Sequence, residues 1–226
     1  MRIVRRGNSV ITVIPVIRGL VTEGERVLGA ARESDPQAIA VSISREELSA
    51  LRNLGDDIDY EMSEIETVFS DLLGRYGEVA LPPPCFSAAL QAAEEMGIPL
   101  LPIDMNEELY SVTYVTVVGT LDLFKESLSV KRLRRKLSGC KSPKEFVLKW
   151  DSLINKSKGF SQLSSERERH MAGVLARIAK RYERVVAFIE LERIDGVCWR
   201  LEGSSSATLD QRREEEAGKL LNAPPE

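Results

Sequence analysis

Four short apolar segments, separated by amphipathic stretches, predict the strands of a β-sheet. Each is rich in β-branched or aliphatic residues, and the first is bounded by Gly7 and Gly19. The segments are 9–18, 38–43, 98–103 and 185–189. Because they are almost continuously apolar rather than alternating, they are typical of parallel strands covered on both faces.

Helix-start signals lie between these segments. A Ser or Thr followed three residues later by Glu is the capping-box pattern, and it occurs at Thr22, Ser44, Ser63, Ser142 and Ser165. An Ala-rich helix is also predicted from Cys85 to Met96, ended by Gly97. Strands alternating with helices predict the α/β class, with a mostly parallel central sheet, right-handed crossovers and helices on both faces.

A helical insertion is predicted around residues 107–160. Within it, residues 110–120 have the composition of a strand but the apolar spacing of a helix, and the helix is favoured because a helical pattern follows. Residues 155–164 are predicted to be a polar loop, with a long helix starting at Ser165. We expect one domain over residues 1–202 and a polar, flexible tail over 203–226.

Composition narrows the class of protein. The chain has 226 residues, 43% hydrophobic and 29% charged, with a net charge of −4, which is ordinary for a soluble domain and does not favour nucleic acid. No apolar run reaches the roughly 18 residues of a membrane span. A signal peptide at the N-terminus is less favoured than a core strand. The cysteines, Cys85, Cys140 and Cys198, are widely spaced and odd in number, so buried thiols in a cytoplasmic protein are expected.

In an open parallel sheet, ligands bind outside the carboxyl ends of the strands. The candidate site residues are therefore those at the predicted strand ends and directly after them. The segment 185–197, VVAFIELERIDGV, contributes the most charged residues. The candidate site residues are Arg18, Ser42, Ser44, Cys85, Asp104, Glu190, Glu192 and Arg193. They could form an ion-pair cluster, or Arg18 and Arg193 could hold a small anion such as a phosphate or carboxylate.

Other chemistry has weaker support in the sequence. Cys85 lacks a histidine partner, so a packed thiol is favoured over a nucleophile. The single histidine, His170, lies in a predicted helix without a second ligand at helical spacing, and we expect neither a metal nor a cofactor. A basic patch formed by Lys131, Arg132, Arg134, Arg135 and Lys136 reads as a solvated helix face, or else as a surface for an acidic partner or nucleic acid.

Residues 166–172, ERERHMA, running on to the segment 185–197, resemble the TraB family (TraB/PrgY/GumN, related to the Tiki proteins). Residues 36–44, PQAIAVSIS, and 88–104, AALQAAEEMGIPLLPID, are similar to further segments of that family. The resemblance covers roughly residues 9–201 and implies the same fold. Tiki-type members are regarded as metal-dependent peptidases that use histidine and glutamate residues.

This chain departs from the family at those positions. The family's two histidines fall at Arg18 and Arg193, and two glycines of its last motif fall at Glu190 and Glu192. Its glutamates fall at Ser42 and Cys85, whereas Asp104 is retained. Because permanently cationic arginines repel a divalent cation, the resemblance implies the fold but argues against the metal chemistry.

Three functions follow as hypotheses. The first is a non-catalytic TraB-like protein that acts by binding, as a scaffold, a regulator or a dimer subunit, with an apolar face in residues 107–137 as the partner or homodimer surface. The second is an anion-binding protein or enzyme that uses Arg18 and Arg193. The third, and least favoured, is nucleic-acid binding through residues 131–136.

Overall fold

The computed structural model describes residues 1–53, 63–120, 122 and 130–203. Its strands are β1 (Arg2–Arg6), β2 (Ser9–Val16), β3 (Ala38–Val41), β4 (Leu100–Pro102) and β5 (Arg184–Glu190). Its helices are α1 (Thr22–Ser34), α2 (Arg45–Arg52), α3 (Glu64–Leu73), α4 (Pro84–Met96), α5 (Glu107–Val117), α6 (Val130–Leu137), α7 (Pro143–Ile154), α8 (Lys158–Ile178) and α9 (Ile194–Leu201). A 3₁₀ turn, Leu191–Arg193, joins β5 to α9.

The strands form one sheet in the order β1-β2-β5-β3-β4. Strands β2, β5, β3 and β4 are parallel, and β1 joins the edge as the antiparallel partner of β2. The central position of β5 explains its unbroken apolar run, because it has neighbours on both sides and helices on both faces. The predicted α/β class with a mostly parallel sheet is confirmed.

Helices cover both faces of the sheet, as predicted. On one face, Ile39, Val41 and Phe188 pack with residues of α1, α2 and α4. On the other face, Ile11 and Ala187 pack with residues of α8 and α9. The two side-chain sets alternate along each strand because successive residues point to opposite faces. The carboxyl ends of the parallel strands therefore open between two helical layers.

The connection between β4 and β5 is helical in its described residues. Residues 107–117 form α5, so the helix favoured for this segment is confirmed. Helices α6 and α7 pack with α3 in a separate core that includes Leu72, Leu137 and Phe146. The predicted tail lies almost entirely outside the described residues, and the limits of the domain stay a prediction. None of the described helices combines the length and apolar character needed to span a bilayer.

Near the N-terminus, one strand was missed and one predicted helix cap is wrong. Strand β1 was not predicted, because its sequence RIVRR buries only Val4 and has charges on both sides. The capping box at Thr22 does not form, since Thr22 is already helical and Val21 precedes it without a side-chain cap. Instead, the Glu23 carboxylate accepts a hydrogen bond from the Ile17 N–H at 3.1 Å. The capping boxes at Ser44 and Ser63 are confirmed.

The predicted start of the last long helix is also wrong. Helix α8 begins at Lys158, and Ser157 caps it by accepting from the Phe160 N–H. The polar loop predicted for 155–164 is therefore helical from residue 158 onward. The Ser165 hydroxyl accepts from Arg200 at 2.7 Å, and Glu168 also bonds to Arg200 at 3.0 Å. These polar residues resemble a cap in sequence, but they serve a contact between α8 and α9.

Candidate functional site

The carboxyl end of the central strand β5 is the centre of the candidate site. Its last residue, Glu190, is only 6% exposed. The Glu190 N–H donates a hydrogen bond to the Ser42 hydroxyl at 3.1 Å, which links the ends of β5 and β3. Ser44, two residues farther along the chain, caps α2. The strand ends thus bring Ser42 and Glu190 together, as the position of both residues in sequence predicts.

Glu190 lies between two arginines. Its carboxylate is 3.6 Å from Arg18 and 4.0 Å from Arg167. Arg18 also contacts Glu47 of α2 at 3.1 Å, at the more exposed side of the cluster. A buried carboxylate is stable as an anion only when it is paired, and here two cations share it.

Asp104, at the end of β4, is held by Arg167 of α8. The Arg167 Nε donates to both Asp104 carboxylate oxygens, at 3.1 and 3.3 Å, and a second guanidinium nitrogen also contacts the carboxylate. Burial acts to lower the pKa of Arg167, but Asp104 and Glu190 outweigh it and raise that pKa. The guanidinium also lies over the ring of Tyr110, 5.9 Å from its centroid. Arg167 is therefore a fixed cation that joins β4, β5 and α5.

Arg193 belongs to a neighbouring group of charges. It is 8% exposed, pairs with Asp151 of α7 at 3.2 Å, and donates to the Ser164 hydroxyl of α8. Among the described residues, its Nε has no hydrogen-bond partner. The sequence suggested one cluster in which Arg18 and Arg193 face Asp104, Glu190 and Glu192. The structure instead assigns Asp104 to Arg167 and Arg193 to Asp151.

Glu192, in the turn after β5, sits among several acidic groups. Burial raises its pKa to about 8, with further increases from Glu190 and Asp151 and an opposing effect of Arg193. Its environment therefore favours the protonated form more than water does. It does not neutralise Arg193, whose close carboxylate partner is Asp151.

Cys85 is not at a strand end but in the first turn of α4. Its side chain is fully buried, and burial raises the pKa of the thiol to about 12, with Glu190 and Glu23 adding to the effect and Arg18 opposing it. Because the thiolate is the nucleophilic form, this residue is a packed thiol at neutral pH. Its position beside Glu190 and Arg18 still places Cys85 among the candidate site residues predicted from the sequence.

Sequence reasoning missed three residues that organise the site, Arg167, Asp151 and Glu47. For Arg167 a signal exists, because it lies four residues from both Leu163 and Met171, which are buried on α8. Helical spacing therefore places it on the face that packs against the sheet. No comparable signal marks Asp151, since its role depends on how α7 packs against the turn after β5.

The basic patch lies on α6, but the side chains of Lys131 and Arg132 are outside the described residues. Arg134 forms an ion pair with Asp71 at 2.8 Å, and Lys136 has a partner as well. Arg135 is exposed. In the described part of this patch, at least two cations are thus engaged within the protein, which does not favour a phosphate-binding surface.

Comparison of the sequence with protein-family models and with curated proteins found no match. The resemblance to the TraB family therefore stays a prediction. The predictions that the chain binds no metal and no cofactor also stay predictions.

Proposed function

We propose that this protein is a non-catalytic, TraB-like binding protein, in which the mouth of the sheet serves structure and a separate surface binds a partner. The structural role of the mouth of the sheet rests on one observation: Glu190 is paired with Arg18 and Arg167, and Arg167 also pairs with Asp104. The two carboxylates most suited to general acid–base or metal chemistry, Asp104 and Glu190, are thus already paired with guanidinium groups. The alternative of an anion held jointly by Arg18 and Arg193 has less support, because these arginines bind different carboxylates.

The resemblance supports the same proposal from a different direction. The positions where the TraB-like pattern implies histidines are Arg18 and Arg193, and both are paired with carboxylates. An arginine that already neutralises a buried carboxylate stabilises that carboxylate as an anion without offering a lone pair to a metal. The same residues that depart from the pattern therefore have a structural role in this chain.

Helix α5 supplies the surface that we propose binds the partner. The fractional exposures of its apolar side chains are 75% for Val115, 57% for Val112, 39% for Leu109 and 38% for Tyr110. The helix docks on α8 through Tyr110, over whose ring Arg167 lies, and through Tyr114, whose ring centroid is 6.1 Å from that of Phe160. Exposed apolar side chains grouped on one element are typical of interaction surfaces.

A second copy of this chain fits the α5 surface. No residue from 109 to 117 is charged. A two-fold axis across this helix would place identical surfaces together without bringing like charges into contact, whereas an oppositely charged partner would find nothing to pair with. We therefore infer that α5 is the contact of a homodimer.

The dimer is tested by sedimentation velocity over a concentration series. Complete burial of a valine contributes about 1.5–3 kcal/mol, so the exposed part of Val112 and Val115 contributes about 1 kcal/mol each. With four valines in a symmetric dimer, the double substitution Val112→Ser and Val115→Ser is expected to raise Kd several hundredfold. The matched control is Ile3→Thr on β1, which removes another exposed apolar side chain and should leave Kd unchanged.

Two outcomes would contradict the proposal. A protein that is monomeric at every accessible concentration has no such dimer. Stoichiometric zinc, manganese or cobalt in the purified protein, together with hydrolysis of a peptide panel, would show that the mouth of the sheet is catalytic.

A further inference from the structure

A cavity of about 990 Å³ lies at the amino ends of the parallel strands, opposite the candidate site. It is bordered by the β1–β2 turn, the residues between α8 and β5, and the end of α9. Its size is at the upper end of the range of small-molecule sites, about 300–1,000 Å³. Neither the proposed dimer nor the mouth of the sheet involves this region.

The charged residues of this cavity are mainly basic. Arg5, Arg6, Lys180 and Arg181 line it, against the two carboxylates of Glu183 and Glu202. Within the described part of the chain, none of these six side chains forms an ion pair within 4 Å. Arg6 donates to the Leu201 carbonyl at the C-terminus of α9, and this contact supplies no carboxylate to neutralise it. The cavity therefore has an excess of unneutralised cations.

Two helix C-termini also reach the cavity, and they act against an anion. Helix α8 ends at Ile178 and α9 at Leu201, and each end carries a partial negative charge of about half a unit. Together they offset about one positive charge. Since the basic side chains exceed the acidic ones by two, the balance remains positive, and the cavity attracts an anion.

A buried hydroxyl gives an independent indication of a ligand. Ser9 lines the cavity, is 2% exposed, and its Oγ has no hydrogen-bond partner in the described part of the chain. Among the described residues, only the Arg193 Nε is another buried side-chain polar atom without a partner. Leaving such a group unpaired costs about 1–3 kcal/mol. An acceptor oxygen brought in by a ligand would satisfy it, because a hydroxyl can turn to donate.

Apolar groups complete the lining. Ile3, Ala176, Ala179 and Tyr182 border the same cavity, and Tyr182 packs partly against the core of the α8 face. A bare phosphate ion would leave most of this volume and its apolar surface unused. The combination fits an anionic group joined to a carbon skeleton or an aromatic ring.

We propose that this cavity binds a small organic phosphate. The phosphate lies against the guanidinium groups of Arg6, which pairs with Ser9 across β1 and β2 on the face toward α9, and Arg181, and it accepts from the Ser9 hydroxyl. The organic part packs against Ala176, Ala179 and Tyr182. The proposal does not depend on the function proposed above.

The test is isothermal titration of the full chain with ATP, inorganic pyrophosphate and adenosine. ATP is expected to bind more tightly than pyrophosphate, because it also fills the apolar side, and adenosine should show no binding. Arg6→Ala and Arg181→Ala should each raise the Kd for ATP about tenfold, as expected for a lost charge-assisted hydrogen bond. The control is Arg75→Ala, an exposed arginine outside the cavity, whose Kd should stay within twofold of the wild type.

Ser9→Ala separates ligand binding from a structural role. It removes a buried hydroxyl without a partner, so the ligand-free melting temperature should not fall, while the Kd for ATP should rise severalfold. An unchanged Kd in this variant overturns the contact with Ser9. The whole proposal is overturned if ATP releases no heat at millimolar concentration, if adenosine binds equally well, or if Arg75→Ala weakens binding as much as Arg6→Ala. Binding of a 20-nucleotide single strand, but not of ATP, in an Arg6-dependent manner would likewise overturn it in favour of nucleic acid.

Discussion

Gly196, the glycine of the segment 185–197, leaves no room for a side chain, and this steric requirement can be tested. It lies in α9, where a Cβ would be 1.9 Å from the Oε2 of Glu168 and 2.2 Å from its Cδ. Ordinary contacts between heavy atoms are about 3.5–4.0 Å, so Gly196→Ala requires the carboxylate to move by more than about 1 Å. Glu168 is completely buried and bonds to Arg200 at 3.0 Å, so that displacement breaks a buried ion pair.

The magnitude follows from two opposing effects. Breaking a buried ion pair costs about 3–5 kcal/mol. Replacing glycine by alanine in a helix returns at most about 1 kcal/mol. Gly196→Ala is therefore expected to lower the free energy of unfolding by about 2–4 kcal/mol, a large share of the roughly 5–15 kcal/mol of a typical domain.

The assay is urea unfolding followed by tryptophan fluorescence, for which Trp199 in α9 is a suitable reporter. Gly173→Ala in α8 is the control, because its Cβ would meet only the end of Arg177 at 3.7 Å, and it should stabilise by about 0.5–1 kcal/mol. In a Glu168→Ala background the added cost of Gly196→Ala should fall below about 1 kcal/mol, since the clashing carboxylate is gone. Equal costs in both backgrounds, or a Gly196→Ala protein as stable as the wild type, would refute the reasoning.

Three further predictions concern the mouth of the sheet. Arg167→Ala should destabilise by about 3–5 kcal/mol in urea unfolding because it leaves Asp104 buried and unpaired, whereas Arg169→Ala, which removes an exposed pair, should change stability by less than about 1 kcal/mol. Because Glu192 has a pKa of about 8 in the folded protein and 4.5 as its ordinary value, its contribution to stability is full below pH 4.5 and is lost as pH rises to about 8. Glu192→Gln should flatten that decline, and an identical pH profile would contradict it. Cys85 should resist a thiol reagent at pH 8 in native protein and react in guanidinium, and native labelling at this site would be contrary evidence.

The strands were largely predictable because their signal is local. Strands β2, β3 and β5 are continuous apolar runs, which follows directly from burial on both faces. Strand β1 lies at an edge and buries only Val4, so its charged sequence carried no such signal. The capping-box pattern was reliable where the serine precedes the helix, as at Ser44 and Ser63. It was misleading at Ser165, where the same pattern occurs in the interior of α8.

The location of the candidate site could be predicted from the sequence, but the pairing of its charged side chains could not. The rule that strand ends form a site located Ser42, Asp104 and Glu190, which all lie at one edge of the sheet. The partner of each charge depends on the angle at which helices cross that edge, and this is a property of tertiary packing. Arg167 and Asp151 come from α8 and α7, so no reading of strand ends could assign them to Asp104 and Arg193.

The two ends of the sheet differ in a way that bears on function. Parallel sheets usually bind ligands at their carboxyl end, where the connecting loops converge. In this chain that end is occupied by the Arg18–Glu190–Arg167–Asp104 charges, whose mutual pairing offsets the cost of burying them. The large cavity with unpaired cations is at the amino end instead. Substitutions at the carboxyl end should therefore change stability more than binding, and substitution of Arg181 should change binding more than stability.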